Sequence, residues 1–219
     1  MIIVIDGPAG SGKSSTAKAV ARKLGIEYLD SGALYRALTV VYVSKEWSES
    51  SFFEFLSTLS ISFSYDDELF RVWIDDKEIT DKLRSEEVSN NVSEVASKPK
   101  ARTFVNNLMR NAVETGNYIA EGRDLGTAVF PDAKLKFFMS ADINERARRR
   151  HQELIKQGQK TTLGSVKQNI EKRDKIDSQR NNDPLKKADD AIDIDTTDLT
   201  FEQQVQKICS LINKRLTLN

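Results

Sequence analysis

The sequence predicts an α/β fold, in which a mostly parallel sheet has helices packed on both of its faces. Three observations support this prediction. Short apolar runs recur along the 219 residues, and most are continuously hydrophobic, as in strands that are covered on both faces. Helical stretches separate these runs, and such alternation is typical of βαβ units. A glycine-rich loop follows the first apolar run and leads into the first helical stretch.

Five β-rich runs and six helical stretches define the predicted core. The predicted strands span residues 2–6, 26–30, 118–121, 135–139 and 191–195. The predicted helices span residues 13–24, 32–46, 100–115, 142–157, 163–175 and 201–216.

Residues 48–97 interrupt this alternation. A helical run at 50–59 is followed by two β-rich runs between 61 and 74, with an acidic turn between them, and by a short run at 76–80. This pattern predicts a small antiparallel sheet with polar turns, inserted into the α/β core. A second inserted unit is predicted at 145–160, where basic residues are densest, although a solvated helix face explains that stretch equally well.

The composition limits the possible classes of function. The chain has 33 Lys and Arg against 33 Asp and Glu, so its formal net charge is zero and no overall basic field attracts nucleic acid or an anionic membrane. One cysteine and one histidine provide neither a disulfide framework nor a Cys/His metal cage. No apolar run approaches about 18 residues, and the first apolar run is too short for the core of a signal peptide. We therefore expect a cytoplasmic protein that binds neither nucleic acid nor membranes.

The loop after the first predicted strand carries the most informative motif. It reads Gly-Pro-Ala-Gly-Ser-Gly-Lys-Ser at positions 7–14 and matches the phosphate-binding P-loop pattern in full. Its glycines let backbone N–H groups surround phosphate oxygens, an exposed lysine reaches the β- and γ-phosphates, and the last serine ligates Mg²⁺. We therefore predict that the chain binds a nucleoside triphosphate with Mg²⁺. The residues assigned to the triphosphate are Gly7, Pro8, Ala9, Gly10, Ser11, Gly12, Lys13, Ser14 and Ser15.

The rest of the sequence distinguishes between classes of P-loop protein. The N-K-x-D and D-x-x-G strings of GTPases do not occur in it. Arginine-containing segments instead follow the second and third predicted strands, at 30–36 and 121–127, where α/β sheets bind ligands. Arg173, Asp177 and Arg180 share one face of a predicted helix. A surface salt bridge explains each group alone, but together they favour a kinase that closes over two small substrates.

In these motifs the chain resembles the bacterial cytidylate kinases, which belong to the nucleoside monophosphate kinases. The similar segments occur in the family's order over nearly the whole chain, and GRD-x-GT-x-VFPDA together with DSGA-x-YR is highly specific. These segments are GPAGSGKSS at 7–15, LDSGALYRAL at 29–38, SEVASKPKAR at 93–102, EGRDLGTAVFPDA at 121–133, RDKIDSQR at 173–180 and PLKKADDAIDIDTT at 184–197.

The resemblance implies a P-loop NTPase-type three-layer fold with a five-stranded parallel sheet, an inserted monophosphate-binding domain with a small antiparallel sheet, and a helical lid. The expected core comprises residues 1–35, 103–143 and 160–219, the insert residues 36–102, and the lid residues 144–159. The implied activity is the transfer of phosphate from ATP to CMP or dCMP by a monomer that uses Mg²⁺.

The resemblance also implies roles for individual residues. Cytosine offers an exocyclic amine to Asp124 and Ser93, while its O2 and N3 acceptors suit Arg102. Glu121 stands where the family often has Asp, and a carboxylate there could bind Mg²⁺ through water. The implied CMP-binding residues are Ser31, Arg36, Ser93, Arg102, Arg123, Asp124, Arg173 and Asp177, with Asp177 toward the sugar hydroxyls. The implied catalytic residues are Lys13, Arg123, Arg173 and Arg180, the lid arginines are Arg146, Arg149 and Arg150, and the metal ligands are Ser14 and Glu121.

Other interpretations fit parts of the sequence. A shikimate-type or adenylate-type kinase shares this fold, but the large insert and the GRDLGT segment argue against both. A non-enzymatic nucleotide-dependent module would lack the arginines on the acceptor side. Asp124 has a second interpretation of its own, in which it only anchors a neighbouring arginine in an ion pair.

Overall fold

A computed structural model describes residues 1–66, 69–156 and 158–216 of the chain. Asp67 and Glu68 of the predicted acidic turn, Gln157 of the predicted lid and the last three residues of the predicted core lie outside the described residues. The strands are β1 (Ile2–Asp6), β2 (Glu27–Asp30), β3 (Ile61–Asp66), β4 (Leu69–Ile74), β5 (Lys77–Glu78), β6 (Tyr118–Gly122), β7 (Leu135–Ser140) and β8 (Ile192–Asp195). The α-helices are α1 (Lys13–Leu24), α2 (Ser31–Val43), α3 (Glu49–Leu56), α4 (Glu86–Ser97), α5 (Pro99–Ala112), α6 (Ile143–Lys156), α7 (Leu163–Gln179) and α8 (Phe201–Leu216).

The described chain has a five-stranded parallel sheet at its centre, which confirms the predicted fold class. The strand order is β2-β6-β1-β7-β8, so that β1 is hydrogen-bonded to β6 on one side and to β7 on the other. Ile3, Val4 and Ile5 of this central strand are fully buried, as the continuous apolar run predicts. All five predicted core strands are present, each within one residue of its predicted bounds.

Local sequence signals explain where the helices next to the sheet begin and end. Gly25, with φ of 63°, ends α1 in the left-handed conformation, which glycine adopts at low cost. The Asp30 carboxylate caps α2 by accepting a hydrogen bond from the Ala33 N–H at 2.9 Å. Helix α7 continues four residues beyond its predicted end, and Asp177 consequently lies within the helix.

The segment that interrupts the alternation, residues 48–97, contains a separate three-stranded antiparallel sheet, β3-β4-β5, as predicted. Helix α4, which follows it, was not expected from the sequence. Its serine and asparagine residues are poor helix formers, because their side chains compete for backbone hydrogen bonds. Its buried residues are Val88, Val92, Ser93, Val95 and Ala96, of which only the three valines are strongly hydrophobic. This helix packs against α2 and so joins the insert to the core.

The predicted domain boundaries at 35/36 and 102/103 fall inside α2 and α5. Both helices therefore run from the core into the insert without a flexible linker. The predicted lid, residues 144–159, falls on α6 and the described residues just after it, and α6 packs on α7. Within the described ranges no helix combines the length and the apolar character needed to cross a membrane.

Candidate active site

A cleft of about 1640 Å³ opens at the carboxyl ends of β1, β2 and β6. Parallel strands carry their ligand-binding loops at this edge, and here the P-loop meets the start of α2 and the segment after β6. The insert and helices α6 and α7 form the other walls. The walls carry more Lys and Arg than Asp and Glu side chains, so the cleft favours an anionic ligand.

The P-loop has a backbone conformation that requires glycine. Gly10 and Gly12 have φ values of 76° and 91°, in the left-handed region. Gly7 lies so close to β7 that a Cβ atom on it would be 2.0 Å from the Met139 carbonyl oxygen. The loop leads directly into the N-terminus of α1, which is the arrangement that binds phosphate groups.

Lys13 is buried, with only 4% of its surface exposed, and the expectation of an exposed lysine was wrong. Its Nζ donates hydrogen bonds to the Pro8 carbonyl oxygen at 2.7 Å and to the Ser11 hydroxyl at 3.4 Å. Burial, together with the charge of Arg123, lowers the pKa of Lys13 to about 7. Because both hydrogen-bond acceptors are neutral, a phosphate group in the cleft would provide the counter-charge that this lysine needs.

Ser14 and Glu121 meet beside the P-loop. The Ser14 hydroxyl donates a hydrogen bond of 2.6 Å to the Glu121 carboxylate, and Ser31 donates one of 2.7 Å to the Glu121 backbone oxygen. Burial and the nearby Asp30 raise the pKa of Glu121. A hydroxyl and one carboxylate suit Mg²⁺, which takes few protein ligands and completes its octahedron with water and substrate phosphates. The described residues contain no cluster of three or more His, Cys, Asp or Glu side chains able to hold a metal by themselves.

Three predicted phosphate-binding arginines line the cleft. Arg123 donates to Asp177 at 3.1 Å, while Arg36 donates to the Leu83 carbonyl oxygen at 3.1 Å and to Ser89. The Nε atom of Arg173 is buried and has no hydrogen-bond partner in the described part of the chain.

The surroundings of Arg36 and Arg173 oppose their positive charge. Burial and the charges of Arg173 and Arg84 lower the pKa of Arg36 to about 9. Burial and Arg123 lower the pKa of Arg173 to about 10. Buried cations that crowd together destabilise the charged form, and a bound phosphate would relieve this repulsion.

Asp124 accepts hydrogen bonds from two arginines. Arg180 donates to its Oδ1 at 2.7 Å, and Arg102 donates to its Oδ2. Asp183, in the loop after α7, connects the same two arginines: its Oδ2 accepts from Arg102 at 2.9 Å and its backbone oxygen accepts from Arg180 at 2.7 Å. Arg102 is 2% exposed and lies behind Asp124, whereas Asp124 and Ser93 face the cleft. The ion-pair interpretation of Asp124 therefore describes real contacts, and these leave further lone pairs on the carboxylate for a ligand.

The lid arginines occupy different positions. Arg149 and Arg150 line the cleft; Arg149 donates to the Thr196 carbonyl oxygen at 2.6 Å, and Arg150 pairs with Glu153 on its own helix at 2.7 Å. Arg146 is buried against the P-loop, where it donates to the Ala9 carbonyl oxygen at 3.0 Å and pairs with Asp174. The Asp174 carboxylate also accepts the Ala9 N–H at 3.0 Å, so this pair holds both sides of one P-loop residue.

Several charged residues of the site were not predicted. Asp6 and Asp174 adjoin predicted motifs, Asp6 preceding the P-loop and Asp174 following Arg173, and that adjacency was the available signal. Arg84 lines the cleft from the insert and lies 3.9 Å from Glu153 of the lid helix. Asp183 likewise directly precedes the similar segment at 184–197. No motif marks Arg84, because its proximity to the site results from the folding of distant segments.

Comparison with known proteins identifies the relatives of the chain. The family model described as cytidylate kinase matches residues 3–214. A cytidylate kinase of Carboxydothermus hydrogenoformans is 39% identical over 218 residues, covering 98% of both chains. A cytidylate kinase of Acholeplasma laidlawii is 42% identical, and the match covers 96% of this chain and 94% of that protein. A cytidylate kinase of Halalkalibacterium halodurans is also 42% identical, and the match covers 99% of both chains.

Solved structures with lower sequence identity share the fold. A protein from Thermus thermophilus superposes with a TM-score of 0.52 at 16% identity, with 99% of this chain and 97% of that chain covered. An uncharacterized protein from Eubacterium ventriosum superposes with a TM-score of 0.51 at 15% identity, covering 100% and 99%.

Proposed function

The chain belongs to the cytidylate kinase family, and on this basis we propose that it transfers the γ-phosphoryl group of ATP to CMP and dCMP. The products are ADP and CDP or dCDP, and the reaction serves pyrimidine nucleotide metabolism. The enzyme is a phosphotransferase whose acceptor is a phosphate group.

The observation that carries this proposal is the group of buried cations in the cleft. Lys13 has only neutral acceptors and a pKa of about 7, and the buried Nε of Arg173 has no partner among the described residues. Nearby carboxylates compensate these charges only in part, because the pKa values of Lys13 and Arg173 are still lowered, so a site of this kind favours an anionic ligand. Donor and acceptor phosphates in the same cleft would meet that requirement.

The proposed mechanism relies on positioning and on charge neutralisation. The attacking oxygen belongs to a phosphate that is already anionic, so no strong general base is needed. Lys13 and the arginines Arg123, Arg173 and Arg180 would hold the two nucleotides in line and stabilise the charge spread over the transferring group. Mg²⁺, held by Ser14 and through water by Glu121, would neutralise charge on the β- and γ-phosphates when bound.

We assign the acceptor nucleotide to the wall formed by the insert and the segment after β6. Arg36 and Arg123 would bind its phosphate, with Ser31 beside them, and Asp177 the sugar hydroxyls. Ser93 and Asp124 would accept hydrogen bonds from the cytosine amine. Because Arg102 lies behind Asp124, we propose that its main role is to orient that carboxylate toward the base.

We further propose that the triphosphate lies on P-loop residues 7–15, covered by the lid arginines Arg149 and Arg150. The division into core, insert and lid given above is part of this proposal, with closure of insert and lid excluding water from the reaction. We propose a cytoplasmic monomer that acts on free nucleotides.

A coupled assay of ADP release tests the proposal. ATP and Mg²⁺ are supplied with CMP, dCMP, UMP, AMP or shikimate in turn, and CMP and dCMP are expected to give the highest kcat/KM. Turnover of AMP or shikimate in preference would favour the adenylate-type or shikimate-type alternative. No turnover of any pyrimidine monophosphate would overturn the proposal.

A further inference from the structure

Asp6, the last residue of β1, makes two contacts that link distant parts of the active site. Its carboxylate is 4% exposed. One oxygen accepts the Leu125 N–H at 2.9 Å and the other accepts the Gly126 N–H at 2.7 Å. These partners lie 119 and 120 positions away along the chain.

The position of these two N–H groups gives the contacts their importance. Leu125 and Gly126 open a π-helical turn that extends over Leu125–Val129, and they directly follow Arg123 and Asp124. Asp6 itself directly precedes Gly7, the first residue of the P-loop. One carboxylate thus fixes the P-loop strand relative to the segment that carries the proposed phosphate and base ligands.

The fit around this contact is close on every side. A Cβ atom on Gly126 would lie 3.3 Å from the Asp6 carboxylate, 3.2 Å from the Lys136 side chain and 3.3 Å from Val4. The turn therefore has little space in which to shift while the two hydrogen bonds are intact. Without the carboxylate, two N–H groups at the start of the turn would be buried and unpaired, so the orientation of the turn depends on Asp6.

Residues 2–5 of β1 are apolar, and Asp6 at the end of this strand carries hydrogen-bond acceptors on its side chain. What an apolar side chain cannot do is accept two adjacent N–H groups and so define the orientation of the turn.

We propose that Asp6 is a positioning residue for recognition of the monophosphate, acting through the backbone of Leu125 and Gly126 on Arg123 and Asp124. This inference rests on the proposed function, because the affected step is the binding and orientation of CMP. A displacement of about 1 Å in such a site lowers the rate on the order of 10²-fold. The P-loop is held by other contacts, including Arg146 and Asp174, so ATP binding should be affected much less.

The test compares Asp6→Asn and Gly126→Ala with the parent enzyme. The first variant replaces one acceptor by an amide that faces an N–H group, and the second presses on the same contact from the opposite side. Asp193→Asn is the matched control, because this exposed carboxylate lies in β8 of the same sheet, pairs with Lys187 at 2.6 Å and is outside the proposed site. Steady-state kinetics with CMP, UMP and ATP are measured together with the melting temperature.

Both variants are expected to lower kcat/KM for CMP by roughly tenfold or more. They should also lower the CMP/UMP ratio of kcat/KM, while the KM for ATP stays within about twofold of the parent's value. The control should keep the parent's ratio. Should Asp6→Asn fail to fold, Gly126→Ala alone decides. If the parent is active and the folded variants have the same CMP/UMP ratio of kcat/KM as the parent, the proposed role of Asp6 is overturned, whatever their melting temperatures. A parent without CMP turnover overturns the proposed function instead.

Discussion

The Ser14 hydroxyl and the Glu121 carboxylate lie 2.6 Å apart, although 107 positions separate them in the chain. They meet because β1 and β6 are parallel neighbours, with Ile5 paired to Glu121, and because Ser14 lies in the first turn of the helix that follows β1. A hydroxyl and a carboxylate that lie this close together suit Mg²⁺, which takes few protein ligands.

Glu121→Gln removes the charge but keeps the shape of this side chain. We expect the Mg²⁺ concentration for half-maximal rate to rise by roughly tenfold, since a hydrogen bond from a metal-bound water to a charged carboxylate is worth on the order of 1.5–3 kcal/mol. Glu121→Asp, which keeps the charge, should recover most of that loss. Glu27→Gln, at the exposed start of β2, is the control. The measurement is the rate as a function of Mg²⁺ at saturating nucleotides, and equal curves for all variants would remove Glu121 from the metal site.

Lys13→Ala is expected to lower kcat by about 10²–10³-fold, the usual cost of losing one electrostatic donor to the transition state. The fold should persist, because burial already disfavours the charged form of Lys13, as its pKa of about 7 indicates. Lys23→Ala, on the exposed end of the same helix, is the control. Circular dichroism and the coupled assay give the two readouts. Turnover within a few-fold of the parent would show that the P-loop lysine is structural.

Arg36→Ala is expected to raise the KM for CMP by roughly 10–100-fold, because a charge-assisted hydrogen bond to phosphate is lost. The KM for ATP should change little, since Arg36 contacts Leu83 and Ser89 on the insert side of the cleft. Arg71→Ala, which removes another arginine of the insert, paired with Asp66 at 3.9 Å, is the control. Equal weakening toward both nucleotides would place Arg36 outside the acceptor site.

Asp124→Ala is expected to lower kcat/KM for CMP much more than for UMP. Uracil presents a carbonyl where cytosine has its amine, and such mismatches cost about 1–3 kcal/mol each, so the parent should favour CMP by roughly tenfold or more. The measurement is the CMP/UMP ratio of kcat/KM in parent and variant. If both activities fall alike and the ratio is constant, Asp124 serves only to pair with Arg102 and Arg180.

The stability contributed by Asp6 should depend on pH. Burial raises the pKa of Asp6 to about 6, against the two backbone N–H groups that lower it. Because its pKa is raised in the folded state, Asp6 is protonated in the folded protein but not in the unfolded chain between about pH 4 and pH 6. The stability that this bound proton provides is therefore lost as the pH rises through 6. In urea unfolding, the free energy of unfolding of the parent should fall between pH 5 and pH 8 by roughly 1 kcal/mol more than that of Asp6→Asn. The same pH dependence in both proteins would contradict this assignment.

The fold followed from local patterns along the chain. Continuous apolar runs located the five core strands because a strand covered on both faces has no polar side. Helix α4 was missed because its buried face has only three strongly hydrophobic residues, all valines, in a segment that contains serine and asparagine residues. Its helical state is stabilised by packing against α2, a contact between segments about 50 residues apart.

The sequence by itself determined the P-loop, the order of the elements and the candidate residues on each strand end, because strand ends and glycine-rich turns are encoded by neighbouring residues. Only the tertiary structure decided how these residues are paired: Ser14 with Glu121, Asp124 between Arg102 and Arg180, and Asp6 with the turn after Asp124. It also decided that Lys13 and Arg102 are buried, a property that depends on what covers them. Pairing and burial arise when parallel strands bring distant segments to one edge of the sheet, so that hydrogen bonds and desolvation act between groups that no local pattern connects.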